Sequence, residues 1–192
     1  AGNIIEPEEG TSFFPVTVEW SASMPSQSKK EHPFEPLNIV QLTVSSRRGP
    51  DEDTAGDLLC ERIERAGHVL AWRRIVPEDL HPLRAVVCNC IVDPQVDCVL
   101  ISGGTGITEH DRAPEALIPL FDREIPGFGE LFRQHSFEEI GSSSLQSRAF
   151  AGVANGTLVF ALPGSPGACR TGWEQILEPQ LDRRTRPCNF VS

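Results

Sequence analysis

Short apolar runs alternate along most of this chain with stretches whose apolar residues recur three and four positions apart. Residues 37–44 are a near-continuous apolar run of strand length, broken by Ser45, Ser46, Arg47, Arg48, Gly49 and Pro50. Asp53 or Thr54 can cap a helix carrying Leu58, Leu59, Ile63 and Ala66, and Gly67 closes it. Residues 68–76 predict a second strand, and Pro77, Glu78 and Asp79 open a helix bearing Leu83, Val86, Val87, Cys90 and Ile91. A third strand over 96–102 runs straight into Gly103, Gly104, Thr105 and Gly106. Helices are expected over 114–120 and from about 128 to 135. Strands over 149–153 and 157–162 meet at Asn155-Gly156, a hairpin signal, and a last helix spans 166–181. The alternation predicts an α/β fold in three layers: a mainly parallel sheet between helices, with one antiparallel hairpin strand near the end.

The first 36 residues follow another pattern. The first 23 hold four Glu and no Lys or Arg, and include a strand-like run over 13–20. A polar, Pro-containing stretch follows, so residues 1–33 read as an extension and linker and 34–192 as the functional domain. Met24 is the single methionine, which suggests a natural start there and an added or upstream segment before it.

At 192 residues and 39% hydrophobic content the chain can close one core. A formal net charge of -10 argues against nucleic acid or an anionic membrane as the main partner, so an anionic ligand must be caught locally. No apolar stretch approaches the roughly 20 residues of a membrane span, which predicts a soluble protein. Lysine occurs only at Lys29 and Lys30, which excludes a P-loop or a Schiff base in the domain. Six cysteines, at 60, 88, 90, 98, 169 and 188, form no C-x-x-C pair and read as reduced, inert thiols of a cytoplasmic protein.

In an open parallel sheet ligands bind beyond the carboxyl ends of the strands. Three loops leaving strands are candidates. The first carries Ser45 and Arg47; the second runs from Ser102 through Gly103, Gly104, Thr105 and Gly106 to Asp111; the third holds Pro163, Gly164, Ser165 and Pro166. Glycine turns can direct successive backbone amides into one concavity and so hold phosphate without lysine, although a glycine turn can equally be only a turn. The spacing around Ser165 is not that of a hydrolase elbow. Asp111 either holds Mg²⁺ against phosphate oxygens or caps the helix near Pro114, and Glu78 either supplies a second ligand or only favours a helix start. His110 is either a base or a solvated histidine.

The run from Ser102 to Ala116, SGGTGITEHDRAPEA, closely resembles the signature of the molybdenum-cofactor biosynthesis family that includes MoaB and MogA. Residues 126–133 (PGFGELFR), Ser147-Arg148 and residues 162–166 (LPGSP) resemble its other blocks in the same order. Residues 42–49 (LTVSSRRG) and 184–190 (RTRPCNF) resemble the MoaB members in particular, and the likeness covers about residues 34–192. It implies a MogA-like α/β/α fold, a cytoplasmic role in molybdenum cofactor synthesis, and adenylyl transfer from ATP to molybdopterin with Mg²⁺ and release of pyrophosphate. The alternative is a pterin-binding or assembly paralogue without turnover. On this resemblance Asp111 matches the family's essential aspartate, Glu78 its second acid, residues 102–106 with Ser45 and Arg47 the molybdopterin grip, and residues 163–166 the nucleotide pocket. His110 and Gly167 stand where many members carry basic residues. The resemblance also implies a homo-hexamer built from two trimers, and Phe121, Phe128, Phe132 and Phe137 could serve as core or interface.

Overall fold

The computed structural model describes residues 32–191; the expected strand over 13–20 and nearly all of the N-terminal extension lie outside the described residues. The chain runs β1 (Asn38–Val44), α1 (Thr54–Arg65), β2 (Val69–Val76), α2 (Leu80–Val92), β3 (Cys98–Ser102), α3 (Ala113–Leu117), β4 (Arg123–Glu124), α4 (Pro126–Ile140), β5 (Phe150–Ala154), β6 (Thr157–Leu162) and α5 (Pro166–Gly172). The last helix continues through a π-helical turn, Trp173–Leu177, into α6 (Glu178–Gln180).

The six strands form one sheet in the order β2-β1-β3-β6-β5-β4. β2, β1, β3 and β6 are parallel, while β5 runs antiparallel to both β6 and β4. The expected mainly parallel sheet with one hairpin is therefore present. The hairpin turns at Asn155 (φ 49) and Gly156 (φ 84), the two positive-φ positions that a two-residue turn of this hand requires. β4 was not foreseen, because two exposed residues, Arg123 and Glu124, carry no hydrophobic alternation; pairing with β5 alone makes them a strand.

Central strands are apolar on both faces because helices cover both. Ile39, Cys98, Leu100, Leu158, Phe160 and Leu162 face a core closed by α1, α4 and the C-terminal helical segment, including Leu59, Phe132 and Trp173. Val40, Leu42, Val99, Ile101, Val159 and Ala161 face the other core, closed by Leu83, Val87, Ala113 and Leu117 of α2 and α3. The period-two alternation of these side chains divides one apolar run between two layers. β2, at the sheet edge, keeps half its residues exposed, with Arg74 lying over the Trp72 ring at 5.5 Å.

Helix limits extend beyond the expected ones where backbone chemistry rather than periodicity sets them. α4 begins at Pro126, in its first turn, and ends at Gly141 with φ 60, so it outruns the expected 128–135 at both ends. Phe128 and Phe132 enter the core, whereas Phe137 remains 60% exposed. Cys60, Cys90, Cys98 and Cys169 are buried, and burial pushes the Cys90 thiol up to about 11 and that of Cys169 to about 12. Thiols so far from ionisation are poor nucleophiles and metal ligands. Among the described residues no helix is long and apolar enough to cross a membrane.

Candidate active site

The register of the parallel strands brings three loop exits to one edge. Thr43 of β1 stands opposite Ser102 of β3, Ser102 opposite Leu162 of β6, and Val44 opposite Val76 of β2. Beyond this row the chain turns at Gly103 (φ 95) and Gly104 (φ 69), conformations that disfavour any residue with a Cβ. The Gly103 amide donates to Leu162 O at 2.9 Å, and a methyl placed on Gly164 would stand 3.2 Å from the Gly103 Cα. The two glycine turns therefore touch, because side chains at these positions would hold them apart.

The first loop is drawn into the same place. Ser45 Oγ accepts the amides of Arg47 (3.3 Å) and Arg48 (3.1 Å), a local turn that a short hydroxyl side chain favours. That turn sends the Arg48 guanidinium across to donate to Gly164 O at 2.8 Å. Arg48, not Arg47, thus bridges to the third loop, while the Arg47 side chain stays exposed. The Glu78 amide donates to Ser46 Oγ at 2.9 Å and joins the β2 exit to this assembly. Ser165 Oγ caps α5 by accepting the Ala168 amide, beside Pro163 and Pro166.

A buried polar layer supports these turns. Asp53, with no exposed surface, accepts from the Gly56 amide at 3.0 Å, from Thr43 Oγ1 at 2.7 Å and from Arg73 at 3.1 Å. Ser102 Oγ lies 3.2 Å from Thr43 Oγ1 and 3.4 Å from Gln41 Nε2. The Ser102 hydroxyl is buried and committed to this layer, so only its backbone is available to the candidate phosphate grip. Thr105 is likewise buried, and its carbonyl accepts the Arg148 amide at 2.8 Å.

Asp111 does not cap α3. Its carboxylate folds back onto Thr108, accepting from the amide at 3.0 Å and the hydroxyl at 2.6 Å, while α3 begins at Ala113, after Arg112, without a side-chain cap. Partial burial pushes this carboxyl upward, but the Thr108 hydroxyl, the amides of Thr108 and Gly106 and the Arg148 charge together hold it below its ordinary value. It lines a hollow of about 340 Å³ with Thr108, Glu109, Arg112, Glu115 and Arg148. His110 is exposed, 3.6 Å from the Glu109 carboxylate. Glu78 is absent from this hollow's lining, and no three acids, histidines or cysteines gather into a cation cluster among the described residues. The donor set fits Mg²⁺ only in the manner usual for that ion, with one or two carboxylates and the remaining positions filled by water and phosphate oxygens.

Residues 102–106, 163–166 and the Ser45 turn thus form one contiguous edge, with Asp111 on the loop that leaves it. Sequence reasoning gave no site role to Arg48 or Arg148 and saw Asp53 only as a helix cap, not as the carboxylate beneath the turns. Arg148 was visible only as part of a family block, and nothing in local periodicity distinguishes Arg48 from Arg47.

A doubly covered parallel sheet whose glycine turns meet at the strand ends defines an α/β domain of the kind that holds phosphorylated ligands on backbone amides. Residues 41–183 match the family described as "Probable molybdopterin binding domain". The chain is 60% identical over 157 residues to molybdenum cofactor biosynthesis protein B of Escherichia coli K12, covering 82% of this chain and 92% of that protein. It is 35% identical over 149 residues to a protein of Methanocaldococcus jannaschii named "Probable molybdopterin adenylyltransferase", covering 74% and 88% of the two chains. A crystal structure of a molybdenum cofactor biosynthesis protein B superposes with a TM-score of 0.75 at 39% identity, covering 78% of this chain and 94% of that one. The chain belongs to the MoaB family of molybdopterin-binding domains.

Proposed function

We propose that this protein acts in molybdenum cofactor synthesis in the cytoplasm by binding molybdopterin and adenylylating it with ATP. A terminal phosphate oxygen of molybdopterin attacks the α-phosphorus of ATP. The bond from that phosphorus to the α,β-bridging oxygen breaks, and its electron pair leaves on pyrophosphate. Such a reaction needs two phosphorylated ligands held in line and little covalent chemistry from the protein.

The observation that carries this reading is the contact between the two glycine turns, with 3.2 Å between the Gly103 Cα and the position of a Gly164 side chain. Two phosphate cradles at this separation bring one reactant within reach of the other. In this reading the turn at Gly103, Gly104, Thr105 and Gly106 grips the molybdopterin phosphate with the Ser45 and Arg47 loop. Pro163, Gly164, Ser165 and Pro166 border the nucleotide. Asp111, already ionised, would hold Mg²⁺, with Glu78, at the β2 exit outside the Asp111 hollow, as the second acid. Mg²⁺, when bound, neutralises charge that builds on the phosphate oxygens. Arg48 ties the Ser45 loop to the nucleotide turn through Gly164 O.

The test is to incubate the protein with molybdopterin, ATP and Mg²⁺ and to measure adenylylated pterin and pyrophosphate. Product from wild type and none from Asp111→Ala supports the assignment. Equal product from both defeats it, and tight pterin binding with no product from either favours an assembly role.

We further propose that the chain works as a hexamer of two trimers. Phe137, Ile140 and Leu145, 60%, 56% and 79% exposed, are large apolar side chains on neighbouring elements at the end of α4 and just beyond it, a pattern suited to burial between subunits. Light scattering that returns the mass of one chain would overturn this.

A further inference from the structure

We infer that Arg148 is a positioning residue that holds the turn bearing Asp111 in register with the sheet. The role assigned to that turn rests on the adenylyl-transfer reading; the clamp itself rests on geometry alone.

The loop from Gly106 to Asp111 projects from the sheet, with Ile107 66% exposed and Thr108, Glu109 and His110 exposed beside it. Its ends are fixed by the Gly103 amide on Leu162 O and the Ala113 amide on Gly104 O. Between them the Thr108 to Asp111 hydrogen bonds give the loop internal shape but tie it to nothing else.

Arg148 supplies that tie. Placed just before β5, it donates its amide to Thr105 O at 2.8 Å and its Nε to Gly106 O at 2.6 Å. One terminal nitrogen of the same guanidinium donates to Asp111 O and the other to the Glu115 carboxylate. One side chain thus spans both ends of the turn and the first part of α3. Two of the guanidinium's three acceptors are main-chain carbonyls, so it fixes the backbone under the acid without engaging the Asp111 carboxylate, which is held by Thr108. The planar, forked guanidinium can reach three acceptors in different directions, and a lysine ammonium on its flexible stem cannot reproduce that set. Arg148 also lines both the Asp111 hollow and an adjoining apolar groove of about 760 Å³, so its position is felt on both sides.

The test compares the wild type, Arg148→Lys and Arg148→Ala as intact chains by amide hydrogen exchange. In both variants exchange of amides 106–112 should accelerate at least tenfold, while β3 and β6 stay protected. Unchanged exchange in that segment, or equal acceleration throughout the domain, overturns the inference. Steady-state kinetics add a second readout. Displacement of a reacting group by about 1 Å costs on the order of 100-fold, so Arg148→Lys should lose that much kcat with less than a threefold change in KM for molybdopterin. Retention of wild-type kcat by Arg148→Lys also overturns it. If the wild type makes no product, the adenylyl-transfer reading fails, and the exchange experiment still decides the clamp.

Discussion

Gly164 lies so close to Gly103 that a side chain on it would press on the neighbouring turn: the Gly103 amide is bonded to Leu162 O, and a Gly164 methyl would meet the Gly103 Cα at 3.2 Å. The contact joins the loop leaving β3 to the loop leaving β6. It exists because β3 and β6 are adjacent in the sheet, although the 54 residues from 103 to 156 lie between the end of one and the start of the other and no local pattern links them.

Gly103→Ala tests the packing of this turn against β1 through stability. Its φ of 95 is unfavourable for alanine, and the new methyl would strike Val44 O. A left-handed conformation costs a residue with a Cβ about 1–2 kcal/mol before the clash is counted, so a loss of at least about 2 kcal/mol is expected. In a protein of this size that is a fall in Tm of roughly 4–8 °C, readable by calorimetry. A Tm within a degree of wild type would contradict the packing described.

Asp111→Asn separates charge from shape. Asparagine can still accept from Thr108, so the turn should persist and Tm should fall by no more than about 1 kcal/mol equivalent. Adenylyl transfer, in contrast, should drop by at least about 100-fold, the scale of losing an electrostatic stabiliser in an active site. Molybdopterin affinity, followed by pterin fluorescence, should change little. Activity near the wild-type level would remove Asp111 from the mechanism.

Gly167→Lys should improve nucleotide binding. A Cβ at Gly167 meets nothing within 4 Å, so the first turn of α5 has room for a long side chain. A cation beside the proposed nucleotide turn adds attraction to triphosphate on the order of 1 kcal/mol at moderate salt, or about a fivefold lower KM for ATP. An unchanged KM at low and high salt alike would show that the triphosphate lies elsewhere.

His68 makes stability depend on pH. It is buried, accepts the Leu37 amide on Nδ1 at 3.2 Å, and packs against Phe34 and Trp173. Burial pushes its pKa below the ordinary value, against a smaller upward pull from Asp182. The unfolded chain then binds more protons than the folded one between the lowered pKa and about 6.5. Stability from this group is complete above about 6.5 and is lost as pH falls from there toward the folded pKa. Urea midpoints should therefore be lower at pH 5.5 than at 7.5, and the difference should shrink in His68→Gln. Midpoints for wild type that do not move between these pH values would rule the effect out.

Residue order alone made much of this protein legible. Strand runs, the capping Asp53, the Asn155-Gly156 turn and the glycine loops are local features, and each depends on backbone sterics or on periodicity over a few residues. Asp111 could be singled out but its partner could not: a helix cap and a back-bonded turn differ only in which nearby donor the carboxylate meets. That Arg48 rather than Arg47 reaches Gly164, that Ser102 turns its hydroxyl into a buried layer, and that Arg148 holds the Asp111 turn were decided by folding. These contacts join residues 33 to 116 positions apart, and their geometry comes from strand register, which no short-range pattern encodes.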